Sequence, residues 1–397
     1  MTIAFATTMS PRGSTVIGRV MPLAEQFAKH HQVHILVLNE SKKSDNNIHL
    51  HTVGQEPFIR TKQGKTRLTG LPLIFCLLSI ALKTTITLFR ISPDAVIIVK
   101  SLPHNVLGVW LWSLFNKNKK IILDVDDFEL TANILTSINQ RAAIHWAERV
   151  GANLAETIVT ASPFLKDHFE QLTQNKKKVV MIPTGISAIT EQRVPPSLKL
   201  RWASLSPRPG GATPAAAPSL LYIGSLSISS GHRIDILPDI LALVQKIYPD
   251  AQLHIAGNGD DTTRLKRQFT KQELPHVHWH GRFTGPAQIA DLLQQTTIIL
   301  DPIDASIANR AKSSFRTILA AAHGLPVVTS DIGIRPYLLP LSFRDRFFAK
   351  PANPKAYAEK IISLLQKPLT GAERSILSDH VKQYTWQTLA SNYNKLL

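Results

Sequence analysis

Between Ser219 and Gly333 five short aliphatic runs alternate with helical patterns, and this alternation constrains the fold more than any other feature of the chain. The runs are LLYIGSL, AQLHIAGNGDD, VHWHGRF, TIILDPI and LPVVTSDIG, and the helical stretch KSSFRTILAAAHG precedes the last of them. Each run has a short β-branched or aliphatic core, as expected for a parallel strand buried on both faces. Strands alternating with helices indicate doubly wound α/β units. Glycines fall at the strand ends, at Gly224, Gly257, Gly259, Gly281 and Gly333. Open parallel sheets bind ligands at that carboxyl edge, so this region reads as a ligand-binding domain.

The N-terminal half follows the same grammar. Strands are expected at IAFATT, HILVLN, IHLHTV, AVIIVK, KIILDV, TIVTAS and VVMIPT. A chain of 397 residues is long for one core and comfortable for two. The Pro/Gly/Ala-rich stretch PPS, SPRPGG and TPAAAP cannot build a core and reads as a linker. The expected organisation is a Rossmann-like domain over residues 1–190, a linker over 191–218 and a second Rossmann-like domain over 219–397. The last helices are expected to pack back on the junction.

The net charge of +17 implies an anionic partner, whether phosphorylated ligand, lipid headgroup or nucleic acid. Nucleic acid is disfavoured, because the basic residues are not interleaved with aromatic stacking residues. The single cysteine, Cys76, excludes an internal disulfide and fits a reducing compartment. No basic region precedes the first strand, which argues against a cleaved secretory signal. The apolar segment Leu71–Phe89 is interrupted by Lys83 and three threonines. It reads first as a buried helix, second as an interfacial helix and last as a membrane span. No acidic residue occurs between Glu56 and Asp94, while Arg60, Lys62, Lys65, Arg67, Lys83 and Arg90 flank or interrupt the run. That pattern suits the anionic inner face of a cell membrane, with the chain cytoplasmic and peripheral. Among the fifteen histidines HxxxH spacing occurs only at His30/His34 and His276/His280, within expected strand regions and not on a helix, and no cysteine cluster accompanies them, so no metal site is expected.

The order of GSL at Gly224, YPDAQLHIAGNGDD, GR at Gly281, AAAHGLPVVTSDIG, and SPFLKDHF followed by IPTGI resembles the GT-B glycosyltransferases, and among them the retaining enzymes of family 4. The resemblance covers nearly the whole chain. It implies two Rossmann-like domains facing across a cleft, the N-terminal one holding an acceptor and the C-terminal one a nucleotide-diphosphate sugar. The family usually places two glutamates eight residues apart before the AAAHG segment. Here those positions read Ala311 and Leu319. In their place Arg310, Lys312, Ser313, Ser314 and Arg316 surround an expected helix start, which could hold a diphosphate through free N–H groups, hydroxyls and cations. The competing reading is a solvated basic helix start. Ser225 stands where the family has a cationic contact, and Arg233 is a candidate replacement. Gly224, Gly257 and Gly259 complete the expected donor site.

Asp124, Asp126, Asp127 and Glu129 crowd the end of KIILDV and would repel one another unless they faced water, a cation or a substrate. A metal-chelating DxD motif belongs to the other large glycosyltransferase fold, which has a single nucleotide domain. By resemblance, Asp126 or Asp127 lies on the acceptor side, where the family often has a histidine, and both are candidate catalytic residues. An exposed helix cap is the plainer alternative. Gly13 and Ser14 follow the first strand and by resemblance line the cleft. The expected activity is transfer of a sugar from a nucleotide-diphosphate donor to a glycan or lipid-linked acceptor, retaining and metal-independent, with no further cofactor. A nucleotide-sugar epimerase and a catalytically degenerate nucleotide binder are the alternatives.

Overall fold

A computed structural model describes residues 1–39, 47–61, 64–133, 135–187, 217–282 and 286–397. Its contacts divide the chain into two units. The first is Met1–Gly185 together with Trp386–Leu397, and the second is Ile186–Thr385. Residues 188–216 lie outside the described residues, and with them most of the expected linker, 191–218.

The N-terminal unit is built on strands β1 (Thr2–Ala6), β2 (Gln32–Leu38), β3 (Ile48–Gly54), β6 (Ala95–Val99), β7 (Lys120–Val125), β8 (Thr157–Thr160) and β9 (Val179–Met181), with a hairpin of β4 (Phe58–Thr61) and β5 (Gly64–Arg67) inserted after β3. These are the seven strands read from the sequence. They form one parallel sheet in the order β3-β2-β1-β6-β7-β8-β9. The order reverses between β1 and β6, which places the topological switch point there. Ile3, Phe5, Val33, Ile35 and Val37 are fully buried under Leu23 and Phe27.

The last helix, Trp386–Asn394, belongs to this unit, which corrects the boundary of 219–397. Its buried residues Trp386, Leu389, Ala390 and Tyr393 follow the i, i+3, i+4, i+7 spacing of one helix face. They join the core around Phe27, whose ring meets that of Tyr393 edge-on at 6.3 Å.

Helix Gly70–Ile91 corrects a second expectation. It is not a buried helix: Ile80, Ala81, Thr84, Thr85 and Leu88 face inward, while Leu71, Ile74, Phe75, Leu78, Leu82, Ile86 and Phe89 are exposed. The inward face carries the close packing. A Cβ at Gly108 would lie 2.9 Å from the Ala81 carbonyl oxygen, so only glycine lets helix Pro103–Ser113 approach. The helix is long and apolar enough to cross a membrane, yet one of its faces is committed to this unit.

The second unit carries β10 (Ser219–Ile223), β11 (Gln252–Ala256), β12 (Val277–Gly281), β13 (Ile298–Leu300) and β14 (Val327–Val328), the five strands expected. Their parallel order, β12-β11-β10-β13-β14, reverses between β10 and β13. Leu220, Leu221, Tyr222, Leu253, Ile255, Ile298 and Ile299 are fully buried.

Candidate active site

At the carboxyl edge of the second sheet the glycines serve chain packing before any ligand. Gly224 N–H donates to the Ala256 carbonyl at 2.9 Å, and Leu226 N–H donates to that of Asn258 at 3.2 Å. The loops after β10 and β11 therefore continue side by side beyond the strands. A Cβ on Gly257 would fall 1.8 Å from the Gly224 carbonyl oxygen, and one on Gly259 would fall 2.4 Å from that of Leu226. The outcome is a ledge of bare backbone beside the switch point, the surface a phosphate can approach closely.

Beneath the ledge lies a buried network absent from the sequence reading. Asp301, which follows β13, accepts from Arg316 Nε at 2.7 Å, Arg335 Nε at 2.7 Å, Ser314 Oγ at 2.8 Å and Thr329 Oγ1 at 3.2 Å. Burial opposes its ionisation, yet the Arg316 and Arg335 guanidiniums hold its carboxyl well below the usual range. Arg316 also donates to the Ile223 carbonyl at 3.2 Å and lies 2.9 Å from His232 Nδ1. Burial, with Arg316 and Lys312 adding like charge, keeps His232 neutral.

These partners revise the expected diphosphate site. Helix Phe315–Ala322 begins three residues later than Lys312, and its cap is the Ser314 hydroxyl, which accepts from Thr317 N–H at 3.4 Å. Ser314 and Arg316 are buried against Asp301 and shape the floor instead of presenting themselves to a ligand. Arg233 is held by Asp235 through two bonds of 2.9 and 2.7 Å, so it is not the free cation expected. Lys312 is half-buried, with Nζ donating to the Ser230 carbonyl at 2.8 Å. Ser313 is half-buried, and Ser225 and Arg310 are exposed. Ala311 and Leu319, where the resemblance sought glutamates, are fully buried apolar side chains.

The carboxyl edge of the first sheet has its own cluster. Asp124 is not part of an open acidic patch. It is buried and bound by Arg19 through Nε at 2.9 Å and Nη2 at 2.7 Å. The other three carboxylates gather around Lys100, which follows β6. Its ammonium lies 3.3 Å from Asp126, 3.4 Å from Glu129, and in direct hydrogen bond with Asp127. Thr15, next to Ser14, donates to Asp126 at 3.1 Å, so the Gly13–Ser14 turn and the acidic cluster do meet. Gly13 itself closes that turn, with its N–H on the Ser10 carbonyl at 2.8 Å, and Ser14 is exposed. Burial opposes the charge on Asp126, but Lys100 and Arg19 lower its pKa on balance. The repulsion anticipated from sequence is answered by two internal cations.

Around this cluster several buried polar atoms have no partner among the described residues: Thr8 Oγ1, Ser101 Oγ, His104 Nδ1 and Asn105 Oδ1. Burial pushes the His104 imidazole down to about 4, so it is neutral near pH 7. Thr8 also adopts φ +38°, a strained conformation for a β-branched residue. Buried polar groups are normally paired, so orphans clustered beside a switch point mark a place for a polar ligand.

Residues 217–367 match the family described as Glycosyl transferases group 1. That stretch of the second unit is similar to the group 1 glycosyltransferases. Solved structures of the same GT-B fold superpose over the whole length of the chain. HepE of Anabaena, in complex with UDP and glucose, is 14% identical with a TM-score of 0.71, covering 99% of this chain and 98% of its own. Sucrose-phosphate synthase of Thermosynechococcus elongatus is 16% identical with a TM-score of 0.73, over 100% and 98%. The lipopolysaccharide outer core galactosyltransferase WaaB is 16% identical with a TM-score of 0.65, over 100% and 99%. No curated relative matches the chain by sequence.

The structure brings Gly224, Ser225, Gly257 and Gly259 together on one ledge, and Asp126 and Asp127 together on Lys100. Sequence reading missed Asp301, Arg335, His232, Lys100 and His104. A lone aspartate closing an apolar strand, as in TIILDPI, was the one available signal for Asp301.

Proposed function

We propose that this chain is a glycosyltransferase that moves a sugar from a nucleoside-diphosphate donor to a glycan or lipid-linked acceptor of the cell envelope. The transfer is retaining and needs no metal. The observation that carries the donor assignment is the backbone ledge of Gly224, Gly257 and Gly259, with Lys312 held on the neighbouring 228–231 loop by the Ser230 carbonyl. Charge on the diphosphate grows as the glycosidic bond breaks, so a cation fixed beside it lowers the barrier more than it tightens the ground state. The complex of HepE with UDP and glucose, and the galactosyltransferase activity in the name of WaaB, favour this reading. The acceptor is assigned to the orphaned polar atoms around Lys100 and His104, which sugar hydroxyls can satisfy as both donors and acceptors. Retention rests on the resemblance to family 4.

The test is a screen of nucleoside-diphosphate sugars against the full chain. A donor well above its dissociation constant should raise stability by about 2–4 kcal/mol. That donor should release nucleoside diphosphate only when an envelope extract is added. Conversion of the sugar without any acceptor would assign an epimerase. Binding without turnover would fit the loss of both glutamates, at Ala311 and Leu319.

We further infer that the N-terminal unit rests on an anionic lipid surface. Leu71, Phe75, Leu78, Leu82, Ile86 and Phe89 form one exposed stripe of helix Gly70–Ile91, and Phe115, 79% exposed, extends it through its ring contact with Phe89 at 5.9 Å. Lys83, Arg90 and Lys117 are exposed beside it, and the helix has no acidic residue. An apolar stripe edged by cations complements a bilayer carrying negative headgroups. A lipid-linked acceptor would be met at that surface, on the cytoplasmic face of the membrane.

A further inference from the structure

The two units carry the same arrangement of histidines, on the same pair of strands. In the first, β2 reads QVHILVL and the edge strand β3 reads IHLHTVG. In the second, β11 reads QLHIA and the edge strand β12 reads VHWHG. Parallel register pairs His34 with His49 and His254 with His278. Alternate residues of a strand share a face, so His49 and His51 point the same way, as do His278 and His280. The central histidine reaches both of its neighbours. His34 Nδ1 lies 2.8 Å from His51 Nε2, and the His34 ring stands 4.9 Å from that of His49. In the second unit His254 Nδ1 lies 2.9 Å from His280 Nε2, and the His254 ring stands 4.7 Å from that of His278. Each edge pairing also carries a register shift, three residues after His34 in the first unit and one residue after His254 in the second.

We propose that each unit binds a divalent transition-metal ion through three histidines, His34, His49 and His51 in one and His254, His278 and His280 in the other. An HxH pair on one strand with a third histidine on its neighbour supplies three imidazole nitrogens from a rigid face. That set suits zinc and leaves a fourth position for water or an outside ligand. His34 and His51 already meet nitrogen to nitrogen, as do His254 and His280, while the third ring of each set must turn from its present stacking about its broad terminal torsion to aim a nitrogen at the same point. On binding, the ring that now donates its N–H to the other takes that proton on its second nitrogen, so both bind the ion as neutral imidazoles. Recurrence of the set in both sheets distinguishes it from a chance cluster among fifteen histidines. The bound ion would clip each edge strand to its neighbour.

The experiment is equilibrium dialysis of the full, chelator-stripped chain against zinc ion alone, with thermal unfolding in parallel. Two zinc ions should be retained at pH 7.5 and lost as pH falls through the histidine range, and zinc should raise the unfolding temperature. His49→Gln with His51→Gln should remove one ion, His278→Gln with His280→Gln the other, and the four changes together both. Asp127→Asn with Glu129→Gln should leave the count at two, which separates these sites from the acidic cluster around Lys100. No retained zinc at sub-millimolar free metal would overturn the proposal. So would retention that ignores the histidine changes, or one ion lost to both pairs alike.

Discussion

Arg19 and Asp124 form a buried ion pair in which two guanidinium nitrogens reach the carboxylate and Nη2 also donates to the Tyr393 hydroxyl at 2.8 Å. The same Nη2 reaches the Ile182 carbonyl at 3.0 Å. One side chain thus ties the first helical segment, Val16–Val20, to β7, to the residue after β9 and to the last helix of the chain. Removing one partner leaves the other charged and buried. Arg19→Met should therefore cost about 3–5 kcal/mol in urea unfolding. It should also release the C-terminal helix to proteolysis. A loss below about 1 kcal/mol would mean that apolar packing alone holds that helix.

The glycine ledge admits a direct test. Gly257→Ala forces a Cβ into the Gly224 carbonyl, so the loops after β10 and β11 must separate. Calorimetry should show a lower unfolding temperature and weaker nucleoside-diphosphate binding together. Gly281→Ala serves as the control: it shares a positive φ, but its Cβ would meet nothing within 4 Å, so it should lose stability without moving donor affinity.

Lys312→Ala and Asp127→Asn should separate the two halves of the reaction. Loss of a charged hydrogen bond of about 1.5–3 kcal/mol predicts donor affinity reduced by roughly 10- to 100-fold in Lys312→Ala, with turnover reduced further. Asp127→Asn should leave donor affinity intact and depress transfer. Unchanged donor binding and transfer in Lys312→Ala would return that segment to a solvated loop.

Glu129 predicts a pH dependence of stability. Burial, with Asp127 and Asp126 adding to it against the pull of Lys100, pushes its carboxyl up to about 7 from an ordinary value of 4.5. The folded chain binds the extra proton between those values, so this group's contribution is full below about 4.5 and is lost as pH rises through 7. Glu129→Gln should match the parent near pH 4.5 and exceed its unfolding temperature at pH 8. Equal differences at both values would show that Lys100 keeps Glu129 ionised throughout.

Membrane attachment is checked by sedimentation with vesicles. Binding should be strong to vesicles rich in phosphatidylglycerol, weak to phosphatidylcholine alone, and reduced by Phe75→Ser with Phe115→Ser. Equal binding to both compositions, or none to either, would leave the exposed stripe to some other partner.

The sequence by itself determined the strands, their parallel character and the carboxyl edges, because a strand buried on both faces must be aliphatic and its exit turn must accept glycine. The inner strands could be read this way, from IAFATT to TIILDPI, whereas the edge strands IHLHTV and VHWHG are half-exposed and carry histidines. Tertiary structure alone decided which polar groups face a ligand. Ser314 and Arg316 look like an open phosphate site in sequence, yet both turn onto Asp301, whose charge requires them once β13 is buried. Lys100 and Asp127 are 27 residues apart and meet only because β6 and β7 are neighbours in register. The histidine triads were hidden for the same reason. Neither QxH nor HxH is a ligand pattern until parallel pairing sets His34 beside His49 and His254 beside His278. Periodicity is a local property of the chain, whereas charge pairing and ligand sets depend on which strand lies next to which.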